Sequence, residues 1–234
     1  MTAPSTRLAV TTGGLPAEMQ TLEPNEAASD DRPATMPGEA SAGCIPDPAN
    51  CTIVVIAASA GGLPPLQTII AALPSTCQAA IFIVWHIGAH PSTLPFILQH
   101  GSSLPVTFAE NGEAIQGGHI YVAPPDHHIL LTATTMEISR GPKVHFARPA
   151  ADPLFISAAE THGAKVIGIV LSGGDGDGAD GLRAIKQHGG NTFVQDPAEA
   201  VAPSMPHAAI AASYPDAVLP TSEIAEVMAG LCQS

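Results

Sequence analysis

The chain has 234 residues, 45% of them hydrophobic but only 4% aromatic, which suits one sizeable domain with a core of small aliphatic side chains. Its formal net charge is −13, with eight lysine and arginine residues in all. This balance disfavours nucleic acid and anionic lipid as partners, because both attract clustered basic residues. No apolar run reaches the ~18–20 residues of a transmembrane helix, and no secretory signal is visible. We therefore expect a cytoplasmic protein with no nucleic-acid partner and no membrane insertion.

Residues 1–48 differ in composition from the rest of the chain. They mix proline, alanine, serine, threonine, glycine and acidic residues, and they show no apolar periodicity. Such a segment cannot bury enough apolar surface to offset the entropy lost on ordering. We predict a disordered acidic Pro/Ala-rich extension over 1–48, more typical of an inert tail than of a binding segment, and a folded domain over 49–234.

From Thr52 onward, short apolar runs alternate with helix-like stretches. The predicted strands are Thr52–Ala58, Ala80–His86, Val106–Ala109, His119–Ala123, Val166–Ser172, Thr192–Gln195 and Ala217–Leu219. The predicted helices are Pro64–Ala72, Ser92–His100, Asp152–Thr161, Asp177–His188, Ser204–Ala212 and Ser222–Leu231. The runs AAIFIVWH and KVIGIVLS are almost continuously apolar, as in parallel strands that are covered on both faces. This alternation predicts a doubly wound α/β sheet, and HILLTATTMEISR predicts an inserted antiparallel hairpin.

The cysteines are too dispersed to predict a metal or redox centre. Cys44, Cys51, Cys77 and Cys232 form no CxxC pair, which disfavours a zinc site or a redox motif. We expect reduced thiols in a cytoplasmic chain.

Side chains with catalytic potential follow three of the predicted strands. The first strand ends at Ser59 within AASAGG, and the second ends at His86. The run KVIGIVLS continues into GGDGDGADG, which contains Asp175, Asp177 and Asp180. Because function in open α/β sheets gathers at the carboxyl ends of the strands, we expect a serine, a histidine and an aspartate to meet at one edge.

Ser59 has two interpretations, and the sequence leaves both open. It is either a nucleophile on a strand-to-helix turn or part of a structural turn built from small residues. A standard NAD site is excluded, because the first two glycines of G-x-G-x-x-G are missing and no acidic residue occurs between Ser59 and Glu110. No P-loop lysine follows, which excludes a Walker-type nucleotide site.

His86 alone is more often a histidine accommodated at the edge of a core than a catalytic base. Its predicted proximity to Ser59 favours the base, since a serine hydroxyl becomes a good nucleophile when a neutral imidazole takes its proton. An ionised aspartate on the other ring nitrogen would fix the tautomer. Asp177 is the candidate for that role, although this loop also fits a helix cap, with Asp180 as a charge in the first helical turn.

Metal sites are disfavoured in both of the segments that resemble them. Counted from Asp175, the fifth and twelfth positions of a calcium loop would be Ala179 and Lys186, which are not the required ligands. A second segment carries three histidines, for which a structural role is favoured: His119, His127 and His128.

The order and spacing of several motifs resemble one known family. These motifs are IAASAGG, IVWH, GGHIYVAPPDHHILL, ARPAADPLF, IGIVLSGGDGDGADG and VQDPAEAVAPSMPHAAI. With them, the segment from about Thr52 to Leu231 resembles the catalytic domain of the chemotaxis protein-glutamate methylesterases, the CheB family. The resemblance implies a three-layer α/β/α fold with a mostly parallel, seven-stranded sheet. It also implies a catalytic triad of Ser59, His86 and Asp177.

Further roles follow from the same resemblance. The family's oxyanion hole maps to the backbone N–H groups of Ala60 and Gly174. Trp85, next to the histidine, and Arg148, in the RP stretch, are candidate substrate contacts, and a structural ion pair is the other interpretation of Arg148. The family chemistry needs no metal and no organic cofactor, so we expect none.

The sequence also departs from the family's usual pattern. Ala57, Ala60, Trp85 and Gly174 replace residues that are common in the family, and Asp175 adds a charge. Typical members also carry an N-terminal phosphoacceptor receiver domain, whereas about 50 proline-rich residues precede the catalytic part here, too few for such a domain.

The resemblance implies a protein-glutamate methylesterase that acts on chemoreceptors, with glutamine deamidation as a second activity, and the short preceding segment predicts that it is a stand-alone enzyme. A separate regulator or kinase would then be the controlling partner. Two alternatives stay open: a non-catalytic module of the same fold that binds receptors or a kinase, and a serine esterase with a different substrate.

Overall fold

A computed structural model of the protein describes residues 51–232. The predicted extension over 1–48 lies outside the described residues. The strands are β1 Ile53–Ala58, β2 Ala80–Trp85, β3 Val106–Phe108, β4 His119–Val122, β5 His128–Leu131, β6 Met136–Ser139, β7 Val166–Val170, β8 Asn191–Gln195 and β9 Ala217–Leu219. The α-helices are α1 Leu63–Ala71, α2 Leu94–Gln99, α3 Ala151–His162, α4 Ala179–Gln187, α5 Ser204–Ser213 and α6 Thr221–Leu231.

Seven of these strands form one parallel sheet, in the order β3-β4-β2-β1-β7-β8-β9. The first strand, β1, lies in the middle of the sheet. The strands β2, β4 and β3 lie on one side of it, and β7, β8 and β9 lie on the other. The doubly wound parallel sheet is therefore confirmed. The winding reverses between β1 and β7, and such a switch point leaves a crevice at the carboxyl edge of the sheet.

The predicted hairpin is also confirmed. β5 and β6 pair with each other in antiparallel register, His128 opposite Ser139 and Leu131 opposite Met136. They form a separate two-stranded sheet and do not extend the large one.

The large sheet is buried between two apolar layers. Along β1, alternate residues enter different cores: Ile53, Val55 and Ala57 pack with side chains of α3, α4 and α5, and Val54 and Ile56 pack with those of α1, α2 and α6. A strand covered on both faces needs apolar residues at every position, which explains the continuous runs in the sequence. None of the helices among residues 51–232 is long and apolar enough to cross a membrane.

One expectation about the cysteines is wrong. Cys77 and Cys232 form a disulfide, with their Cα atoms 4.4 Å apart, although 155 positions separate them in sequence. Packing of α6 against α1 brings the end of α6 to the loop that precedes β2. The spacing of the cysteines along the chain gives no sign of this contact.

Candidate active site

Three strand ends bring the predicted catalytic residues to one edge of the sheet. Ser59 follows β1 and His86 follows β2, one position beyond the register partners Ala58 and Trp85. Asp177 lies after β7, the other neighbour of β1. The carboxyl ends of three adjacent parallel strands therefore supply the serine, the histidine and the aspartate.

The turn that carries Ser59 requires small residues. The N–H of Gly62 donates to the carbonyl oxygen of Ser59 (2.9 Å) and closes a tight turn. Gly61 has a φ of 74°, and a Cβ there would lie 2.4 Å from Cβ of Val201. Only glycine combines this left-handed backbone with so close an approach of the neighbouring loop.

A buried serine that the sequence analysis did not single out joins this turn to the end of β7. The carbonyl oxygen of Ser172 accepts the N–H of Ser59 (2.9 Å), and the hydroxyl of Ser172 donates to the carbonyl oxygen of Ala60 (2.8 Å). The same hydroxyl accepts the N–H of Ala202 (2.9 Å), and the N–H of Ser172 donates to Oε1 of Gln195 (2.8 Å). The only signal in the sequence is a polar residue at the end of an apolar strand.

Asp177 is held by the N-terminus of a helix that is remote in sequence. Its side chain is fully buried, and Oδ1 accepts the N–H of Asp152 at 3.0 Å. Oδ2 accepts the N–H of Ala151 and lies 2.7 Å from Nε2 of His86. The N-terminus of α3 thereby fixes the direction of the carboxylate, and the positive end of the helix dipole lies beside it.

The imidazole of His86 faces two carboxylates. Nδ1 lies 3.1 Å from Oδ2 of Asp175, but no hydrogen bond of normal geometry satisfies this buried atom within residues 51–232. Burial on its own would lower the pKa of His86, but the close contacts with the carboxylates of Asp175 and Asp177, and their charges, outweigh it and raise the pKa to about 9. The raised pKa favours the protonated ring, because an imidazolium balances the two carboxylates.

The predicted contact between serine and histidine is not formed in this conformation. Within the described part of the chain, no hydrogen bond joins Oγ of Ser59 to His86, whose ring nitrogens face Asp177 and Asp175 instead. The structure thus brings the histidine and the aspartate together and places the serine on the adjoining strand end.

The two predicted oxyanion donors are available. The N–H groups of Ser59 and Gly173 are taken by carbonyl oxygens of neighbouring segments. Ala60 and Gly174, which follow them in the chain, are exposed, and neither donates its N–H to an acceptor among residues 51–232. Two amides without an acceptor among the described residues therefore lie in the loops that carry Ser59 and Asp177.

Comparison with known proteins agrees with this geometry. The family model for CheB methylesterase matches residues 54–228, which include Ser59, His86 and Asp177. The chain belongs to the CheB methylesterase family. It is accordingly an enzyme of the hydrolase class.

Relatives of this CheB methylesterase cover most of the folded part. A Leptospira interrogans protein, provisionally named protein-glutamate methylesterase/protein-glutamine glutaminase, is 41% identical over 187 residues, which are 79% of this chain and 97% of that protein. Protein-glutamate methylesterase/protein-glutamine glutaminase 2 of Caulobacter vibrioides is 38% identical, and the match covers 77% of this chain but 54% of that protein. The crystal structure of the Thermotoga maritima CheB methylesterase catalytic domain superposes with a TM-score of 0.74 at 34% identity, over 77% of this chain and 98% of that structure.

The structure shows one of the two interpretations of Arg148, the ion pair. Nε and Nη2 of Arg148 both donate to Oδ1 of Asp126 (2.9 and 2.7 Å), and Nη1 donates to the carbonyl oxygen of Gly141 (2.9 Å). The hydrogen bond from Arg148 lowers the pKa of Asp126. The N–H of Asp126 donates to the carbonyl oxygen of Gly88 (2.9 Å), so this ion pair supports the loop after His86. A direct contact between Arg148 and substrate stays a prediction.

Two departures from the CheB pattern have clear positions. Trp85 is half-buried at the end of β2 and packs against the apolar core on the side of α1, α2 and α6. Ala57 is fully buried in β1. The predicted contact of Trp85 with substrate remains a prediction.

The histidines expected to be structural have protein partners. His119 stacks on Tyr121, with ring centroids 4.3 Å apart, and ring nitrogens of His127 and His128 contact the carbonyl oxygens of Pro125 and Pro142 at 2.8 and 3.0 Å. These contacts fit a role in holding the fold.

Another cluster, not foreseen from the sequence, has ligand atoms within 4.8 Å of one another: His145, Asp152 and Asp180. Burial, followed by the charge of Asp177, raises the pKa of Asp152 to about 6. Its carboxylate already accepts the N–H of Gly181 (2.7 Å) and contacts Nε2 of His145 (3.1 Å), so protein groups satisfy it.

Proposed function

We propose that this protein hydrolyses glutamyl 5-methyl esters on chemoreceptor proteins and deamidates glutamine side chains on the same substrates. Membership of the CheB family and the names of its relatives support the reaction class. The observation that carries the proposal is the 2.7 Å contact between the nearly buried His86 and the helix-bound Asp177, at the strand edge that also bears Ser59.

In this proposal, Ser59 is the nucleophile. Neutral His86 takes the hydroxyl proton while Oγ attacks the ester carbonyl carbon, and Asp177 holds the imidazole through Nε2 and balances the positive charge that forms. Because Nε2 faces Asp177, the proton has to go to Nδ1.

The tetrahedral intermediate places a negative charge on the former carbonyl oxygen. The free N–H groups of Ala60 and Gly174 are the donors for this oxyanion, and backbone donors need no particular side chain. Collapse of the intermediate breaks the bond to the methoxy oxygen, and the imidazolium of His86 gives its proton to the departing methanol.

Water completes the reaction. His86, neutral again, takes a proton from water as the water oxygen attacks the acyl carbon, and the proton returns to Oγ of Ser59 as the glutamate carboxylate leaves. With a glutamine side chain the first leaving group is ammonia instead of methanol. Every step uses protein groups and water, so the proposal assigns no metal or organic cofactor.

The surroundings of the site fit a protein substrate. Val201, next to the turn of Ser59, has 79% of its surface exposed, and Phe146, which follows the His145 that lies near Asp175, is 96% exposed. Such side chains suit the apolar face of a receptor helix better than a small polar ester. We place the protein in the cytoplasm with receptors as its substrate partners and a separate regulator or kinase as its controlling partner.

Methanol release from methylated receptor tests the proposal. The wild-type protein should release methanol and Ser59→Ala should not, while Asp180→Asn, a surface change in the same region, should match the wild type. Equal release by wild type and Ser59→Ala would reject the assignment. A serine-directed phosphonate that labels Ser59, together with hydrolysis of small esters but not of receptor, would indicate the esterase with another substrate. Receptor binding without labelling or turnover would indicate the non-catalytic module.

A further inference from the structure

Asp175 is the charged group near the imidazole that the proposed reaction does not use. It lies in the β7–α4 segment two residues before Asp177, and its Oδ1 accepts the N–H of Asp177 at 3.1 Å. Its other oxygen, Oδ2, is the atom 3.1 Å from Nδ1 of His86. One carboxylate oxygen thus anchors the side chain to its own turn while the other faces the ring.

Asp175 faces Nδ1 of His86, the ring nitrogen that the proposed reaction needs as its proton acceptor. Nε2 of His86 is engaged by Asp177 at 2.7 Å, so Nδ1 is the atom left to receive the proton of Ser59. A nitrogen that carries a proton and points to a carboxylate cannot accept a second proton. Asp175 and Ser59 therefore compete for the same atom.

The two carboxylates are not equally fixed. Asp177 is fully buried, and backbone N–H groups of α3 hold both of its oxygens. The side chain of Asp175 is 36% exposed, and its oxygen at the ring has no aligned hydrogen bond there. Of the two contacts, the one to Asp175 is the one that can open.

We propose that Asp175 is a positioning residue that keeps His86 protonated and competes with Ser59 for Nδ1, so that the resting site is latent. This inference rests on the proposed function, because it assigns His86 the role of base. Catalysis then begins when the ring loses its proton to solvent or when bound substrate draws Asp175 away from Nδ1.

The charges around the ring agree with this assignment. Asp175 and Asp177 face it from the β7–α4 segment, Asp152 of α3 lies behind Asp177, and His145 lies near Asp175. With the pKa of His86 near 9, only about 1% of the rings are neutral at pH 7. The esterase should therefore be slow at neutral pH and faster in alkali.

The variant Asp175→Asn tests the proposal, because asparagine keeps an acceptor for the N–H of Asp177 and removes the charge. We expect the midpoint of the kcat/KM–pH profile to move down by about one pH unit or more, with about a tenfold gain at pH 7 and an unchanged alkaline plateau. Asp180→Asn, the same chemical change on an aspartate that pairs with Arg183, should keep the wild-type midpoint. An unchanged midpoint or a lower rate in Asp175→Asn would overturn the proposal.

NMR titration of the His86 ring gives a readout that does not need turnover or a variant of Asp175. The His86 signals are assigned by their loss in His86→Gln. In the wild-type protein the ring should still be protonated at pH 7, and a ring that is neutral there would overturn the proposal even if Asp175→Asn does not fold. If the ring titrates as expected and shifts in Asp175→Asn while no protein hydrolyses ester at any pH, the pairing stands and the proposed function fails.

Discussion

Asp177→Asn changes the side chain that connects His86 to the N-terminus of α3. The carboxylate accepts the backbone N–H groups of Ala151 and Asp152 on different oxygens, and Oδ2 also faces Nε2 of His86. Asparagine has a single acceptor oxygen. Its NH2 group must therefore face one of the two helix N–H groups, donor against donor, in either orientation.

The magnitude follows from this geometry. The side chain is fully buried, so the N–H that loses its acceptor cannot turn to water. An unpaired buried donor costs about 1–3 kcal/mol, and losing a negative charge at a helix N-terminus costs about 0.3–2 kcal/mol more. We expect the free energy of unfolding to fall by about 3 kcal/mol and Tm by about 6–12 °C for a domain of this size. kcat/KM should fall by about 10³–10⁴, because the histidine loses the partner that sets its tautomer.

Urea unfolding measures the effect on stability, and Trp85, the only tryptophan of the chain, supplies the fluorescence signal. The matched control is Asp180→Asn in the first turn of α4, whose partly exposed ion pair with Arg183 contributes about 1 kcal/mol or less. If Asp177→Asn unfolds within about 1 kcal/mol of this control, the carboxylate is not held by α3 in solution and the reasoning is refuted.

Three further predictions concern other parts of the molecule. Folding raises the pKa of His86 from 6.5 to about 9, so its protonation stabilises the folded state by about 3 kcal/mol. This contribution is complete below pH 6.5 and is lost as the pH rises through 9. Urea unfolding of the wild type and of His86→Gln should therefore differ in pH dependence over that window. The Cys77–Cys232 disulfide closes a loop of 155 residues, so reduction should lower the free energy of unfolding by up to about 5 kcal/mol, and Tm of Cys232→Ser should not respond to reductant. In Gly173→Ala, the new Cβ would lie 1.9 Å from Sδ of Met205, so phosphonate labelling should slow at least about tenfold, and Met205→Ala in the same chain should restore part of it.

Most of the fold could be predicted because local patterns determine it. Each predicted helix and strand is present, with ends that differ by at most two residues. Three ends differ by two residues: α2 begins at Leu94 instead of Ser92, and the other two differences occur where tertiary contacts override local preference. The strand expected to reach Ser172 ends at Val170, and the backbone N–H of Ser172 donates to the side chain of Gln195 instead of to a neighbouring strand. The helix expected to begin at Asp177 begins at Ala179, after Gly178 with a φ of 89°, because the carboxylate of Asp177 binds α3 instead of capping its own helix.

The placement of Ser59, His86 and Asp177 at one edge of the sheet could also be predicted, because the carboxyl ends of parallel strands lie at the same edge. Their contacts could not. Whether the Nδ1 atom of His86 faces Ser59 or Asp175 depends on distances of a few ångströms between loops that are about 90 residues apart in sequence. The burial of Ser172 and the ion pair of Arg148 likewise depend on contacts between segments that are distant in sequence.

By itself, the sequence determined the layered α/β architecture and the residue types delivered to the edge of the sheet. Hydrophobic periodicity and the position of residues after strands are properties of the chain itself. The tertiary structure alone decided the pairing of Cys77 with Cys232, the binding of Asp177 by α3 and the second carboxylate on the imidazole. Each of these depends on segments that meet only after the helices have packed on the sheet, and local sequence patterns do not determine the geometry of that packing.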